Sequence, residues 1–366
     1  MLKITSLPAK EGDAIWIRWG EDSDSLKNIV IDMGTEAIGK DFRRRLEALP
    51  EEQRNLELLI VTHVDRDHIG GVLTCLAEAV PLPGLDINEV WFNGYKHLSG
   101  GQISAIPSGL EVQGAAQGER LTKWLRKQHW NRAFDGGPVE RKPDEITTVK
   151  IDDDLSLTIL GPTRERLEAF IDTWEEEVEK AIEKGSLDAA DVSPGLESMG
   201  SKYPPDLEFE EDLEKLAESK KGKDSSHANG SSIAVLLEYK ERKILLSGDA
   251  FSKDLVDGIN SIGDDRIKLD IFKLPHHGSR NNVHKELIEA VDCDRWLIST
   301  EGTRFRHPDA EAIARIITYS SDKKPLISFN APSTFNGWWD NDNWKEMYGY
   351  ETEYGDSVDG ISFEFD

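Results

Sequence analysis

Apolar residues fall into short runs along the chain, and these runs predict an α/β protein. Residues 14–19 alternate as a half-buried strand would, and buried-strand runs occur at 28–33, 57–62, 90–93, 155–160, 233–239, 243–247, 270–274, 295–299, 326–329 and 361–365. Helical spacing appears between them at 41–49, 72–80, 252–260, 282–290 and 309–319. Strands with interleaved helices predict a layered α/β fold.

Two stretches interrupt this pattern, at 94–150 and 162–226. We interpret 1–366 as a single domain that carries these two insertions and an acidic, aromatic-rich C-terminal tail at 335–366.

In the second insertion, Thr163 is a predicted N-cap, and a helical apolar stripe follows: Leu167, Phe170, Ile171, Trp174, Val178, Ala181 and Ile182. We expect this helix to pack on the scaffold as a wall or lid. A second acidic helix at 208–219 and a flexible polar link at 220–226 complete the insertion.

The composition narrows the class of protein. The chain has 366 residues and only two cysteines, Cys75 and Cys293, which excludes a disulfide framework and favours a reducing compartment. The first twenty residues lack the basic and apolar regions of a signal peptide, and no apolar run approaches the roughly 18 residues of a membrane span. We therefore expect a cytoplasmic protein without a membrane anchor.

The net charge of −26 argues at first against a phosphate-containing substrate. The charge is concentrated, however: residues 165–224 hold 19 acidic and 8 basic residues, and residues 340–366 hold 9 acidic residues and one basic residue. The remainder of the chain is close to neutral. The overall charge therefore bears on solubility and partners rather than on the substrate.

The stretch 61–71 is the most informative for chemistry. It reads Val-Thr-His63-Val-Asp65-Arg-Asp67-His68-Ile-Gly-Gly, with four potential metal ligands in six residues directly after a buried strand. Such a loop directs imidazole and carboxylate groups into one small volume, which suits divalent metal ions.

The pattern His-x-Asp-x-Asp-His-x-Gly-Gly resembles the signature of metallo-β-lactamase-fold hydrolases. The Asp at its third position is the form common in the soluble hydrolase domain of ComEC-type DNA-uptake proteins. Further landmarks are similar and come in the same order: GDAIW at 12–16, IDMG at 31–34, NGSS at 229–232, LSGDA at 246–250, LPHHGS at 274–279 and RHP at 306–308. The resemblance covers about 1–93, 150–162 and 228–330, and implies an αββα sandwich.

The same resemblance implies two divalent metal ions, Zn or Mn. His63 and Asp65 would hold the first, Asp67 and His68 the second, and Asp249 would bridge them. Either His276 or His277 would complete the second position, and the sequence does not choose between them. His227 is spaced like a further histidine of the first position, and is alternatively a loop residue. Asp32 is expected to brace the ligand loop.

The implied chemistry is hydrolysis, since two metal ions acidify a shared water and stabilise the attacking and leaving oxygens. Asp67 is assigned to catalysis as well as to metal binding. His307 would donate a proton to the leaving oxygen, or would pack at a helix start. Ser279, Arg280 and Arg306 are candidate substrate-binding residues, with a turn hydroxyl as the alternative for Ser279. Asp65 in place of histidine shifts the preference toward Mn²⁺ and favours phosphodiesters.

Possible partners are nucleic acid, another protein or a second copy of the chain. Residues 120–132 carry five basic residues and two tryptophans without an acid, and could contact a nucleic acid. We favour an amphipathic helix whose basic residues pair with the acidic insertion. The insertion and the tail are candidate surfaces for a protein partner or homo-oligomer.

The sequence therefore predicts a binuclear metal-dependent hydrolase, most simply a phosphodiesterase or nuclease. One alternative is a small-molecule hydrolase acting on a lactone, thioester or cyclic nucleotide. The other is a partner-binding module with a vestigial site.

Overall fold

Two mixed β-sheets form the centre of the computed structural model, which describes residues 1–21, 26–98, 115–176, 199–220, 222–263, 266–321 and 324–366. The first sheet has the order β18-β1-β2-β3-β5-β7. Its strands are β1 (Leu2–Ser6), β2 (Ile15–Trp19), β3 (Lys27–Ile31), β5 (Leu58–Ile60), β7 (Val90–Trp91) and β18 (Ile361–Phe365). The β3, β5 and β7 strands run parallel, and the others pair antiparallel.

The second sheet has the order β17-β16-β15-β13-β11-β10-β9-β8. Its strands are β8 (Thr148–Lys150), β9 (Leu155–Gly161), β10 (Ala234–Tyr239), β11 (Arg242–Leu246), β13 (Ile271–Lys273), β15 (Arg295–Ile298), β16 (Leu326–Phe329) and β17 (Glu351–Tyr354). Strands β11, β13, β15, β16 and β17 are parallel. Two small ribbons complete the set: β4 (Asn55–Leu56) with β6 (Asp86–Ile87), and β12 (Ile267–Leu269) with β14 (Val291–Cys293).

Helices cover the outer faces of both sheets. They are α1 (Glu36–Ala48), α2 (Arg66–Val72), α3 (Tyr95–Leu98), α4 (Ala115–Leu125), α5 (Arg164–Ala169), α6 (Glu210–Ala217), α7 (His227–Gly230), α8 (Ser252–Ile262), α9 (Lys285–Glu289), α10 (Ala310–Tyr319) and α11 (Asp342–Tyr348). None of the helices in the described ranges is long and apolar enough to cross a bilayer.

The apolar core has three layers. Side chains from the facing surfaces of the two sheets, such as Ile17, Ile29 and Leu237, are fully buried between them. A second cluster lies between the first sheet and α1, α2 and α4, and a third between the second sheet and α8, α9 and α10. Each sheet is thus buried on both faces, and the predicted αββα sandwich is confirmed.

The structure also contains elements that the hydrophobic pattern did not predict. The first strand, β1, was missed, and so was β17. The predicted helix at 72–80 is instead α2 followed by a single π-helical turn at Leu73–Ala77. The stripe after Thr163 forms α5 and a further helical segment at 171–176, and its predicted continuation lies outside the described residues.

The segment 335–366 is built into the core rather than appended to it. It supplies β17 and β18, which are edge strands of the two sheets. Its aromatic residues Trp339 and Tyr350 are fully buried, and the Tyr350 hydroxyl donates to the Trp339 carbonyl. The aromatic residues of this segment therefore anchor it to the scaffold.

The alternation of β18 gives a matched pair of variants for stability. Phe363 faces the core, and its neighbour Glu364 is exposed and paired with Lys3 across the sheet. Phe363→Ala should lower the free energy of unfolding by about 3 kcal/mol, because it leaves a cavity between the sheets. Glu364→Ala should cost at most about 1 kcal/mol, since it removes only a surface ion pair. Urea unfolding measures both, and equal losses would contradict this packing.

Candidate metal centre

The predicted ligands gather at one edge of the sandwich, where parallel strands of both sheets end. Asp32 follows β3, the loop 61–68 follows β5, Asp249 follows β11, and His277 follows β13. The carboxyl ends of parallel strands are where α/β proteins place ligand sites, because the connecting loops meet there. Gly12 also lies here: a Cβ at this position would stand 1.6 Å from the carbonyl oxygen of Asp67, so only glycine allows the approach.

Asp32 braces the ligand loop, as expected from the sequence. Its Oδ1 accepts from the backbone N–H of Thr62 at 2.8 Å, and its Oδ2 accepts from the Thr62 hydroxyl at 2.6 Å. The Nδ1 of His68 donates to the same Oδ2 at 2.7 Å. A fully buried carboxylate thus fixes both the backbone and one imidazole of the loop.

Three imidazoles share one arrangement. Their Nδ1 atoms are held by the protein: His63 by the Thr62 hydroxyl at 3.0 Å, His68 by Asp32, and His277 by the carbonyl oxygen of Ser299 at 2.8 Å. Their Nε2 atoms converge on Oδ2 of Asp249, at 3.9, 3.4 and 3.4 Å respectively. This leaves the Nε2 lone pairs and one carboxylate oxygen facing a common centre.

Two further carboxylates lie beside this centre. Oδ2 of Asp67 is 3.6 Å from Nε2 of His277 and 3.9 Å from Nε2 of His68. Oδ2 of Asp65 is 3.6 Å from Nε2 of His63. The structure therefore places Asp65 beside His63, and Asp67 beside His68 and His277.

The adjacent histidines His276 and His277 face in different directions. His277 faces Asp249, whereas Nδ1 of His276 lies 3.1 Å from Asp224 and 3.0 Å from the side-chain oxygen of Asn282. Both residues have left-handed backbone angles, with φ of 48° and 54°. Two consecutive residues in this region turn the chain sharply, which separates the two rings and stores strain of about 1–3 kcal/mol each.

The electrostatics follow from the packing of several acids into a dry volume. Burial by itself would lower the pKa of His68, but Asp249 and Asp32 outweigh it and raise that pKa well above its usual value. For His277, burial is likewise outweighed, chiefly by Asp249, and the pKa is raised. Burial opposes ionisation of Asp67, but His68 and His277 hold its pKa well below the usual range. Without metal, protons on His68 and His277 therefore balance the carboxylates.

The other predicted site residues lie around this cluster. His307 is buried, stands with its ring centroid 5.5 Å from that of His276, and has no hydrogen-bond partner for either ring nitrogen among the described residues. The Arg306 side chain forms no hydrogen bond or ion pair within the described ranges. Arg280 pairs with Glu311 at 3.0 Å. The Ser279 hydroxyl accepts from the backbone N–H of Asn281 at 3.4 Å, as a turn hydroxyl does.

His227 lies apart from the cluster. It is exposed, and its Nδ1 is 2.6 Å from the hydroxyl of Thr173 in the second insertion. None of the possible ligand groups found among the described residues includes it. Its contact joins the insertion to α7 rather than to the three converging imidazoles.

Both insertions pack against the metal loop. A Cβ on Gly118 of α4 would collide with the Trp174 ring, and it would stand 3.3 Å from Val64. Leu121 and Leu125 of α4 are fully buried, as the amphipathic interpretation predicted. Arg120 forms a two-pronged pair with Glu78 of the scaffold, and the Trp130 indole donates to the carbonyl of Phe92. Leu121 and Leu125 thus pack into the core, and Arg120 and Trp130 make polar contacts within the protein.

The sequence reasoning missed three charged residues of the site. Asp13 and Lys273 form a fully buried ion pair beside Asp249. Asp224, in the segment interpreted as a flexible link, is half-buried and accepts from the side-chain amides of Asn229 and Asn282 as well as pairing with His276. The GDAIW landmark contains Asp13 and could have identified it. Asp224 is a single acid in a polar link, and no sequence signal marks it.

The donor set fits divalent metal ions. Imidazole nitrogens and carboxylate oxygens are the ligands that Zn²⁺ and Mn²⁺ take in proteins. Nε2 of His63 is buried and has no hydrogen-bond partner among the described residues, although its ring is held by Thr62. Groups that include His63, His68 and Asp249, or Asp67, His68 and His277, offer ligand atoms within 4.8 Å of one another.

The fold, the ligand loop and the converging imidazoles define a metal-dependent hydrolase scaffold. The sequence-family model of the metallo-beta-lactamase superfamily matches residues 12–302. The chain therefore belongs to that superfamily. No curated protein sequence matches the chain significantly.

Several solved structures align with the chain over most of its length at low sequence identity. Igni18, a metallo hydrolase from Ignicoccus hospitalis, is 10% identical with a TM-score of 0.41, over 100% of this chain and 99% of that one. Zn²⁺-bound PqqB from Methylobacterium extorquens is 12% identical with a TM-score of 0.40, over 100% of both chains. The short form of human tRNase Z is 9% identical with a TM-score of 0.37, also over 100% of both.

The raised pKa values of His68 and His277 predict how the metal-free protein responds to pH. The folded state binds these protons more tightly than the unfolded chain, whose histidines titrate near 6.5. The stabilisation is complete below about pH 6.5 and is lost as pH rises toward the folded pKa values, by up to about 1.4 kcal/mol per pH unit for each histidine. Urea unfolding of chelator-treated protein from pH 6.5 to 8.5 measures this decline.

His68→Asn serves as the comparison in that series. It removes one of the two imidazoles, so its stability should fall less steeply with pH. Equal slopes for the two proteins would contradict the charge balance described above.

Proposed function

We propose that the chain is a binuclear metal-dependent phosphodiesterase or nuclease. The observation that carries this proposal is the common arrangement of His63, His68 and His277. Each donates its Nδ1 hydrogen to a protein oxygen and directs Nε2 at one oxygen of Asp249. Metal-ligating histidines are held in this way in proteins, because the outer hydrogen bond fixes the tautomer and the ring orientation.

The geometry supports two ligand sets that share Asp249. His63, Asp65 and Asp249 would hold the first metal ion; Asp67, His68, His277 and Asp249 would hold the second. His276 and His227 are left out, since their rings face Asp224 and Thr173. The ions would acidify a shared water and stabilise charge on the attacking and leaving oxygens.

The choice of a phosphodiester substrate depends on the charge of the site. Asp65 makes the first ligand set richer in oxygen than an all-imidazole set, which favours hard metals such as Mn²⁺ and hard phosphate oxygens. The guanidinium of Arg306, unpaired within the described ranges, is available to a phosphate. The order of the motifs, similar to that of ComEC-type hydrolase domains, supports the same substrate class.

His307 is the group we assign to proton donation. It is buried beside His276, and neither of its ring nitrogens has a hydrogen-bond partner among the described residues. Its Nδ1 lies 3.5 Å from the Asp309 carboxylate. A protonated His307 would deliver its proton to the leaving oxygen once the phosphodiester bond breaks.

The adjacent histidines provide a direct test of the ligand assignment. His277→Asn should reduce bound metal from two ions per chain to one or fewer, because it removes an Nε2 ligand. His276→Asn should keep two, since that ring faces Asp224 and Asn282. Asparagine tolerates the left-handed backbone at both positions. Metal content of the purified proteins measures the result, and loss of metal only in His276→Asn would reverse the assignment.

The activity is tested with a panel of substrates in Mn²⁺. We expect release of nucleotides from single-stranded DNA or RNA, with Asp67→Ala lowering the rate at least about 10³-fold, since it removes a ligand that no neighbour replaces. Arg306→Ala should raise KM more than it lowers kcat. Cleavage of small lactones, thioesters or cyclic nucleotides alone would favour a small-molecule hydrolase. Bound metal without turnover of any substrate would favour a binding module.

A further inference from the structure

A lysine with no exposed surface lies beside the candidate metal ligands. Lys273 ends β13, and its ammonium pairs with Asp13 and donates to the carbonyl of Gly248 at 3.0 Å. It stands 3.8 Å from Oδ1 of Asp249. Burying an ammonium costs several kcal/mol unless it is paired. The burial of Lys273 beside the candidate metal ligands therefore calls for an explanation.

The two oxygens of Asp249 have different surroundings. Oδ2 faces the three Nε2 atoms of His63, His68 and His277. Oδ1 is turned away from them toward Lys273, and it has no hydrogen-bond partner among the described residues. Attraction between the ammonium and Oδ1 therefore fixes the orientation of the carboxylate plane, with one oxygen toward Lys273 and the other toward the imidazoles.

Asp13 connects the same lysine to a second ligand. Its Oδ2 pairs with Lys273, and its Oδ1 lies 3.6 Å from Nδ1 of His277. Burial opposes ionisation of Asp13, but Lys273 and His277 outweigh it and lower the pKa of Asp13 to about 2. One ion pair thus adjoins both the shared carboxylate and an imidazole of the second ligand set.

We propose that Lys273 is a positioning residue, which holds Oδ1 of Asp249 so that Oδ2 alone is offered to both metal positions. The inference rests on the proposed metal centre and adds a residue to it that binds no metal. Asp13 holds the ammonium in place and restrains the His277 ring. This role differs from simple charge balance. The positioning role and the charge-balance role predict opposite changes in metal affinity when Lys273 alone is removed.

The sign of the change separates these roles. A cation near the site repels metal ions, so a lysine that served only as background charge would, when removed, leave metal binding tighter. A lysine that positions Asp249 would, when removed, leave metal binding weaker. Replacing Lys273 alone also leaves Asp13 buried and unpaired, which destabilises the fold. The paired replacement Asp13→Asn with Lys273→Met avoids that outcome and removes one charge of each sign, so a pair that served only as background charge would leave the affinity unchanged.

The experiment titrates Mn²⁺ into chelator-treated wild type and this double variant, with free Mn²⁺ followed by electron paramagnetic resonance. We expect the affinity of the weaker-binding Mn²⁺ to fall by about 10–100-fold in the double variant, the usual effect of losing a partner behind a ligand. The control is Arg295→Met with Glu353→Gln. It removes another ion pair, at the opposite end of β15 from Ser299, and should leave the affinity unchanged.

The outcomes are distinct. Wild-type affinity in a folded double variant would overturn the positioning role and leave the proposed metal centre intact, since the net charge of the site is unchanged, and tighter binding would overturn that role as well. If wild type itself binds no Mn²⁺ or Zn²⁺, the proposed centre fails and the inference fails with it. Weaker binding in the double variant, with thermal unfolding showing a folded protein and the control unchanged, supports the role of Lys273.

Discussion

Buried negative charge is the constraint on which the rest of this structure depends. Asp13, Asp32 and Asp249 are almost completely buried, and Asp67 lies beside them. Carboxylates this close repel one another, and each loses hydration on burial. The protein answers with the Lys273 ammonium, with protons on His68 and His277, and with hydroxyl and backbone donors such as those of Thr62. Metal ions in the proposed centre would replace the protons in this balance.

The same constraint explains the backbone around the site. Asp32, His276, His277 and Arg306 all have positive φ angles although none is glycine. Such residues persist only where the surrounding structure fixes them, and here the hydrogen bonds of Asp32 and the Ser299 carbonyl do so. These four residues lie in the loops that carry the site, and the strands of the two sheets lie beneath them. The sandwich therefore acts as the rigid support that holds the strained loops in place.

The layered fold and the converging loop were accessible from sequence because both depend on local pattern. Buried strands are short apolar runs, and the loop at 61–71 concentrates its ligands in a few consecutive residues. The direction of a ring is different: His276 and His277 are neighbours in sequence, and only their backbone angles decide which one meets Asp249. Lys273 reads as one polar position in a strand, and its partner Asp13 is 260 residues away in the chain. Strand β1 was missed because it has only five residues, of which Leu2 and Ile4 alone are apolar.

That pairing has a consequence for how the molecule is made. Lys3 and Glu364 are joined across the sheet although they are 361 positions apart in sequence. During synthesis the outer edge of β1 stays without its neighbour until β18 has also been made. An open strand edge invites pairing with other chains. Contacts of such long range also slow folding, because a long loop must close before they form. The nascent chain thus carries an exposed edge while the 361 positions between Lys3 and Glu364 are translated.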